Sequence, residues 1–297
     1  MLRFADPRND FAFKKIFGSE HHTGVLMSFL NAVLPIDIPI ISINLANPYQ
    51  APSISELKQT ILDVTATDAN GRNFIVEMQV EPDRSFSKRA EYYAAKKYND
   101  QLQAGQHYKT LCAVYFVGIL DYIGFDDPKV DCVSHHRTQE TRTGKQYLDS
   151  LNYTFIELPK FTIPIEAIDQ LKTITDKWLY FIRYAPNLDI IPEPLANEPI
   201  IQEALDIAEK THWSRSEMET YDYRIKEIQK AESELETAEL KGTIKGIELG
   251  KIEGELNKAL ETAHKLHARN MSVVDIIDIT GLTAAQLAGI GVCTDMI

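Results

Sequence analysis

The run Lys109–Leu120 limits the fold more than any other stretch. From Leu111 onward it reads Leu-Cys-Ala-Val-Tyr-Phe-Val-Gly-Ile-Leu, apolar at nearly every position. A strand with one wet face alternates, whereas a run without alternation belongs to a strand covered on both faces. Such a strand needs helices on each side, and the flanking sequence offers them. Residues 9–34 predict an opening helix that buries Phe13, Phe17, Leu26, Phe29, Leu30 and Val33, with interruptions at Gly18 and Gly24 and an end at Pro35. Pro48 and Pro52 mark a loop or an irregular strand. Strands are expected over Lys58–Thr67 and Asn73–Val80, joined by the turn chemistry of Asp68-Ala69-Asn70-Gly71-Arg72. A helix over Arg84–Gly105 and a later strand over Tyr153–Leu158 complete the pattern. The order helix, strand, strand, helix, buried strand predicts a mixed α/β core within roughly the first 160 residues.

Beyond it the character changes. Ala167–Tyr184 is an amphipathic helix whose Trp178, Leu179, Phe181 and Ile182 suit a cover for the core. Pro186–Pro199, rich in Pro and Asn, leads to a helix at Ile201–His212. Ser214–Asn270 contains no proline and is dominated by Glu, Lys, Ala, Ile and Leu, a long polar helix or a pair of helices. Within it Gly242, Gly246, Gly250 and Gly254 recur every fourth residue, either weakening a helical linker or admitting a second helix in a homodimer. Residues 271–297 outline two short helices capped by Ser272 and Thr283 and broken at Gly281. The expected organisation is a domain over 1–185, a linker and helix over 186–213, a polar helical region over 214–270 and a small helical tail over 271–297.

Charge bears on partners. The chain carries 31 Lys/Arg and 43 Asp/Glu, a formal −12, which at first disfavours a polyanion. Yet residues 1–110 hold 12 of each sign, so the excess acid lies in the remainder and a phosphate-binding first half stays open. The tail 271–297 has no Lys or Arg, and its helix-turn-helix outline therefore predicts an interaction module rather than a DNA reader. Three scattered cysteines exclude a disulfide framework. Without an eighteen-residue apolar run or a signal-like start, no membrane is expected and the location expected is cytoplasmic.

Period-two bookkeeping isolates one acidic face. Leu62, Val64 and Ala66 alternate with Ile61, Asp63, Thr65 and Thr67, and Phe74, Val76, Met78 and Val80 alternate with Ile75, Glu77 and Gln79. A two-residue Asn70-Gly71 loop sets Asp63 against Met78. A three-residue loop, with Gly71 left-handed, sets it against Glu77. Paired carboxylates repel and invite a cation, and hard oxygen ligands select Mg²⁺ or Mn²⁺. A merely solvated acidic strand face is the competing reading. Cys132 with His135 and His136 falls short of a closed zinc set, and no GxGxxG, P-loop or G-x-S-x-G is present.

Asp63, a turn and then Glu77-Met78-Gln79 resemble the PD-(D/E)XK nuclease pattern. The opening Asn9-Asp10-Phe11-Ala12-Phe13-Lys14-Lys15-Ile16-Phe17-Gly18 is similar to one branch, the Rpn family of recombination-promoting nucleases and transposases. So are Arg89-Ala90-Glu91-Tyr92-Tyr93, Tyr98–Gly105, Phe155–Phe161 and the glycine-spaced tail, a resemblance running from residue 4 to about 255. It implies a restriction-endonuclease-like core, a mixed sheet flanked by helices, followed by a long helical C-terminal region. It further implies DNA as partner, with Asp63, Glu77 and the carbonyl of Met78 as ligands of one Mg²⁺ or Mn²⁺, and Asp63, Glu77, Gln79 and Asp10 as catalytic residues. A homodimer through the C-terminal helices follows from the need for two sites to cut a duplex. Two positions depart from the pattern: Leu62 stands where it has proline, and Gln79 where it has lysine. Transition-state charge must then come from elsewhere, with Lys14, Lys96 and Lys97 as candidates. The implied activity is metal-dependent DNA endonuclease chemistry, and the alternative is a DNA-binding or oligomeric protein that kept the fold and lost catalysis.

Overall fold

The computed structural model describes residues 3–46, 49–50, 60–61, 63–103 and 105–292. Pro48, Pro52, Lys58, Leu62 and Cys293 lie outside the described residues. In chain order the regular elements are α1 (Asp10–Phe17), α2 (Thr23–Val33), β1 (Ile43–Ala46), β2 (Tyr49–Gln50), β3 (Thr60–Ile61), β4 (Val64–Asp68), β5 (Asn73–Gln79) and α3 (Phe86–Asn99). They continue with β6 (Val114–Leu120), β7 (Val133–Arg137), β8 (Leu151–Glu157), α4 (Ile174–Tyr184), α5 (Glu193–Ala196), α6 (Pro199–Ala208), α7 (Arg215–His267), α8 (Val273–Thr280) and α9 (Ala284–Gly289). The chain divides into two units, Met1–Ile225 and Lys226–Ile297, with α7 running through the boundary.

In the first unit six strands form one mixed sheet in the order β1-β4-β5-β6-β8-β7. The β1, β4 and β5 pairings are antiparallel, β5-β6 and β6-β8 are parallel, and β7 returns antiparallel on β8. β6 is the buried centre anticipated from its apolar run. Its Val117 and Ile119 join a large core with α1, α2, α4 and α6, while Val114, Phe116 and Leu120 join a second core under α3.

Several expectations are corrected by the packing. The opening helix breaks once, after Phe17; Gly24 sits inside α2 because the second helix starts at Thr23. The helix expected from Ala167 begins at Ile174, where Thr173 and Asp176 form a capping box, and a 3₁₀ turn occupies Ile165–Gln170. Residues 186–213 are not a linker: Leu188, Leu195, Ile201, Ala204, Leu205, Ala208 and Trp213 are buried in the main core, which extends to Tyr221. The N-terminal strip closes on this segment through Ala5 N–H to Ala208 O at 2.8 Å and Lys210 N–H to Arg3 O at 3.1 Å. β1 and β7 are strands that the apolar pattern of the sequence does not mark.

In the second unit the polar stretch forms one helix rather than a pair. Its Ala263 packs with Ile276, Leu282, Leu287 and Val292 of the tail into a small separate core, and Ser272 and Thr283 cap the tail helices. Gly281 takes φ 68°, the left-handed stop its position required. The four spaced glycines face open space.

Candidate active site

The hairpin β4–β5 determines which side chains meet. Thr67 pairs with Asn73 and Val64 with Val76, and Asp68 N–H donates to Arg72 O at 3.1 Å. The loop is therefore Ala69-Asn70-Gly71, with Gly71 at φ 78°. Asp68 fixes it from within: Oδ1 accepts from Asn70 N–H at 3.0 Å and Arg72 N–H at 2.9 Å, and Oδ2 meets Arg72 Nε at 2.6 Å. Continued one step past Val64, this register sets Asp63 opposite Glu77.

The two residues are tied together through main-chain groups. Asp63 N–H donates to Glu77 Oε1 at 3.2 Å, and Met78 N–H donates to Asp63 Oδ2 at 2.9 Å. The N–H and C=O of one strand residue point to the same side, so the Met78 carbonyl is directed toward the edge where Asp63 lies. Asp63 Oδ1 meets Lys14 Nζ of α1 at 3.2 Å.

The competing reading, a merely solvated acidic strand face, does not hold for this pair. Ile75, on that same face, is buried under Phe86, Ala90 and Ala94 of α3, and Glu77 is only 7% exposed. Burial, with the charge of Asp63 added, pushes the Glu77 carboxyl up to about 8, against partial relief from Asp63 N–H, Arg89 and Lys14. Burial likewise raises Asp63, offset by Met78 N–H and Lys14 and reinforced by Asp10.

The other anticipated residues divide. Asp10 acts on Asp63 only as a nearby charge; its Oδ2 lies 3.6 Å from Arg224 Nε, and its Oδ1 accepts from Phe11 N–H. Gln79 Oε1 accepts from Arg89 Nη2, and its Nε2 donates to Glu81 O at 3.1 Å. Of the candidate lysines Lys14 reaches the pair, whereas Lys97 has Asp100 as its charged neighbour. Sequence reasoning missed Arg89 and Tyr93 as neighbours of the pair, both of which interact with Glu77. Ala90 and Ala94, four apart and buried, mark the inward stripe of α3, and that small-residue spacing was the signal available.

The remaining motif residues serve structure. Glu157, wholly buried, accepts from Gly124 N–H at 2.7 Å and Phe125 N–H at 3.0 Å and pairs with Lys160 Nζ at 2.8 Å. Cys132 Sγ donates to Glu157 O and His135 contacts Thr154 Oγ1, so the suspected Cys-His group does not converge. Among the described residues no three His, Cys, Asp or Glu side chains are grouped to hold a metal ion, which leaves the carboxylate pair with a main-chain carbonyl. Among them also no helix is long and apolar enough to cross a membrane.

No curated protein and no solved structure matches the chain. A family model described as PD-(D/E)XK nuclease family transposase matches residues 7–238. Proteins of that kind are nucleases that act on DNA and generally use divalent metals, and the match takes in the sheet, α1, α3 and the core extension through Tyr221. With more than three-quarters of its length inside that match, the chain belongs to the PD-(D/E)XK nuclease family transposases.

Proposed function

We propose that the chain is a metal-dependent DNA endonuclease that hydrolyses phosphodiester bonds in recombination or mobile-element biology, with Mg²⁺ or Mn²⁺ as its cofactor. The observation that carries this reading is the buried pair Asp63 and Glu77, locked to each other's strands beside Met78. The donor set is all oxygen, which suits a hard cation. Burial first, and then the charge of Asp63, raise the Glu77 carboxyl, and the donors around it offset this only in part. When bound, such a cation lowers the pKa of a coordinated water and offsets charge growing on the phosphate.

The residues have distinct roles. Asp63 and Glu77 hold the cation, with the Met78 carbonyl as third protein ligand, and Lys14 balances Asp63 until then. Gln79 can hydrogen-bond but cannot take a proton, so it orients rather than deprotonates. Asp10 tunes Asp63 through space. Purified protein incubated with supercoiled plasmid and Mg²⁺ or Mn²⁺ should nick or linearise it. Asp63→Ala and Glu77→Ala should abolish cleavage while thermal melting shows an intact fold. Cleavage by Asp63→Ala equal to the parent at the same metal concentration sinks the reading.

Gln79 favours a second reading, a DNA-binding protein that kept the fold without turnover. Duplex binding with no metal-dependent cleavage at any Mn²⁺ concentration would select it. A homodimer through the C-terminal helical region belongs to the first reading, since two strands need two sites. Ile244, Ile247 and Ile252 are exposed on the glycine-bearing part of α7 and suit a second copy. Sedimentation of the full chain and of Ile247→Glu tests it, a monomeric parent being the adverse result.

A further inference from the structure

Gln79 stands at the position where the family pattern carries its cation, and its side chain is in contact with one. Arg89, in the first turn of α3, donates through Nη2 to Gln79 Oε1 and through Nη1 to Asp83 Oδ2 at 2.8 Å. Its guanidinium carbon lies 5.0 Å from the centroid of Phe86, a ring packed edge-on against Phe155. The charge is therefore held by a ring, an amide and a carboxylate at the carboxyl end of β5. Its Nε is buried and has no hydrogen-bond partner among the described residues. A buried donor left that way is uncommon and calls for an explanation.

We propose that Arg89 is the cation this site presents to the scissile phosphate in place of the motif lysine, with Gln79 and Asp83 as the residues that aim it. The inference rests on the metal-dependent nuclease reading and adds to it the source of transition-state charge. Lys14, which pairs with Asp63 Oδ1, offers only a point charge rather than a planar fork. A guanidinium offers a planar fork that matches two phosphate oxygens, and it stays protonated at any working pH. During hydrolysis the water oxygen bonds to phosphorus as the bond from phosphorus to the leaving sugar oxygen breaks. The proton lost by the water passes to solvent, and the leaving oxygen takes one from solvent. Arg89 keeps all its protons and contacts only non-bridging oxygens.

The test compares the parent with Arg89→Ala, Arg89→Lys, Asp63→Ala and the double variant Gln79→Lys/Arg89→Ala. Cleavage of plasmid in Mn²⁺ should fall by roughly 10²–10³ in Arg89→Ala, part of it returning in Arg89→Lys. The double variant, which restores a cation at the motif position, should regain about tenfold or more over Arg89→Ala. A structural defect would not be repaired that way. Anisotropy of a labelled duplex in Ca²⁺ should show weaker binding by Arg89→Ala and recovery in the double variant. Melting curves report folding, and if Arg89→Ala is unfolded, Arg89→Lys and the double variant decide. Cleavage by Arg89→Ala within about threefold of the parent, or a folded double variant no better than Arg89→Ala, overturns the proposal. If Asp63→Ala is inactive in either of those cases, the nuclease reading survives without Arg89. If Asp63→Ala cleaves like the parent, or the parent cleaves nothing, both fall together.

Discussion

Met78 donates its main-chain N–H to Asp63 Oδ2 across 2.9 Å, so the carboxylate of one strand is fixed by the backbone of the next. The reverse tie, Asp63 N–H to Glu77 Oε1, locks the second carboxylate in the same way. Each acid is held by a main-chain donor, and Asp63 also meets the Lys14 ammonium. On the metal-binding reading proposed above, burial of the two carboxyls, with repulsion between them added, rather than disorder, is the cost of the site without its cation.

That burial, with the repulsion added, should be visible in stability. The folded Glu77 carboxyl holds its proton up to about 8, whereas its ordinary value is 4.5. Between those values the native state binds more protons than the unfolded one, so metal-free stability falls as pH rises through the window. Asp63, also raised, adds a loss of the same sign. Glu77→Gln should remove much of the slope, with a gain on the order of a few kcal/mol near pH 8. Urea melts at pH 5 and pH 8 in EDTA check this, and parallel slopes for parent and variant would contradict it.

The same proton should leave when metal binds. At pH 7 Glu77 is mostly protonated without metal, and a ligating carboxylate must be ionised. Calorimetry of Mn²⁺ binding in buffers of different ionisation enthalpy should therefore report proton release, close to one per site at pH 7 and vanishing by pH 9 or so. Buffer-independent heats at pH 7 would remove the argument.

The loop that fixes the register is sensitive to one atom. A Cβ at Gly71 would sit 2.7 Å from Cys112 Sγ, in a backbone conformation of φ 78° that side chains resist. Gly71→Ala should cost about 1–2 kcal/mol through the left-handed backbone, with the sulfur contact added. Gly71→Ala/Cys112→Ala should recover only the contact. Full recovery in chemical denaturation would show that the backbone conformation contributes nothing.

Lys160 answers for Glu157. Glu157 is fully buried, and Lys160, 16% exposed at its side chain, also donates to Phe125 O and Val130 O. Lys160→Met strands a buried charge and should destabilise by about 3–5 kcal/mol, whereas Glu157→Gln/Lys160→Met should lose less. Equal losses in thermal melts would mean that pairing is not what holds Glu157.

What could be read from the sequence follows from what drives each element. β6 was legible because burial on two faces leaves a run of apolar residues. The hairpin was legible down to two alternative registers, and only the loop geometry around Asp68 and Gly71 chose between them. β7, Val-Ser-His-His-Arg, carries no apolar pattern; it is recruited by backbone pairing to β8 at the sheet edge. Residues 186–199 look like a linker by their prolines, yet Leu188 and Leu195 are enough to pull them into the core. Arg89 escapes a reading by composition because α3 carries Lys88, Arg89, Lys96 and Lys97, and only its place beside the buried Ala90 and Ala94 marks it as facing the strands.

The closure of the first unit at its N-terminal strip also imposes an order on its maturation. Arg3 and Ala5 are paired to residues 208–210, and Asp6 N–H donates to Tyr221 Oη at 2.8 Å, so the segment leading into α1 is anchored by residues made some two hundred positions later. Domains emerge from the ribosome N-terminal end first. A nascent chain with its β4–β5 hairpin already exposed therefore still lacks the support that seats α1, and with it Lys14, against Asp63. The Lys14–Asp63 contact is therefore expected to form late in synthesis, when Tyr221 is free to dock.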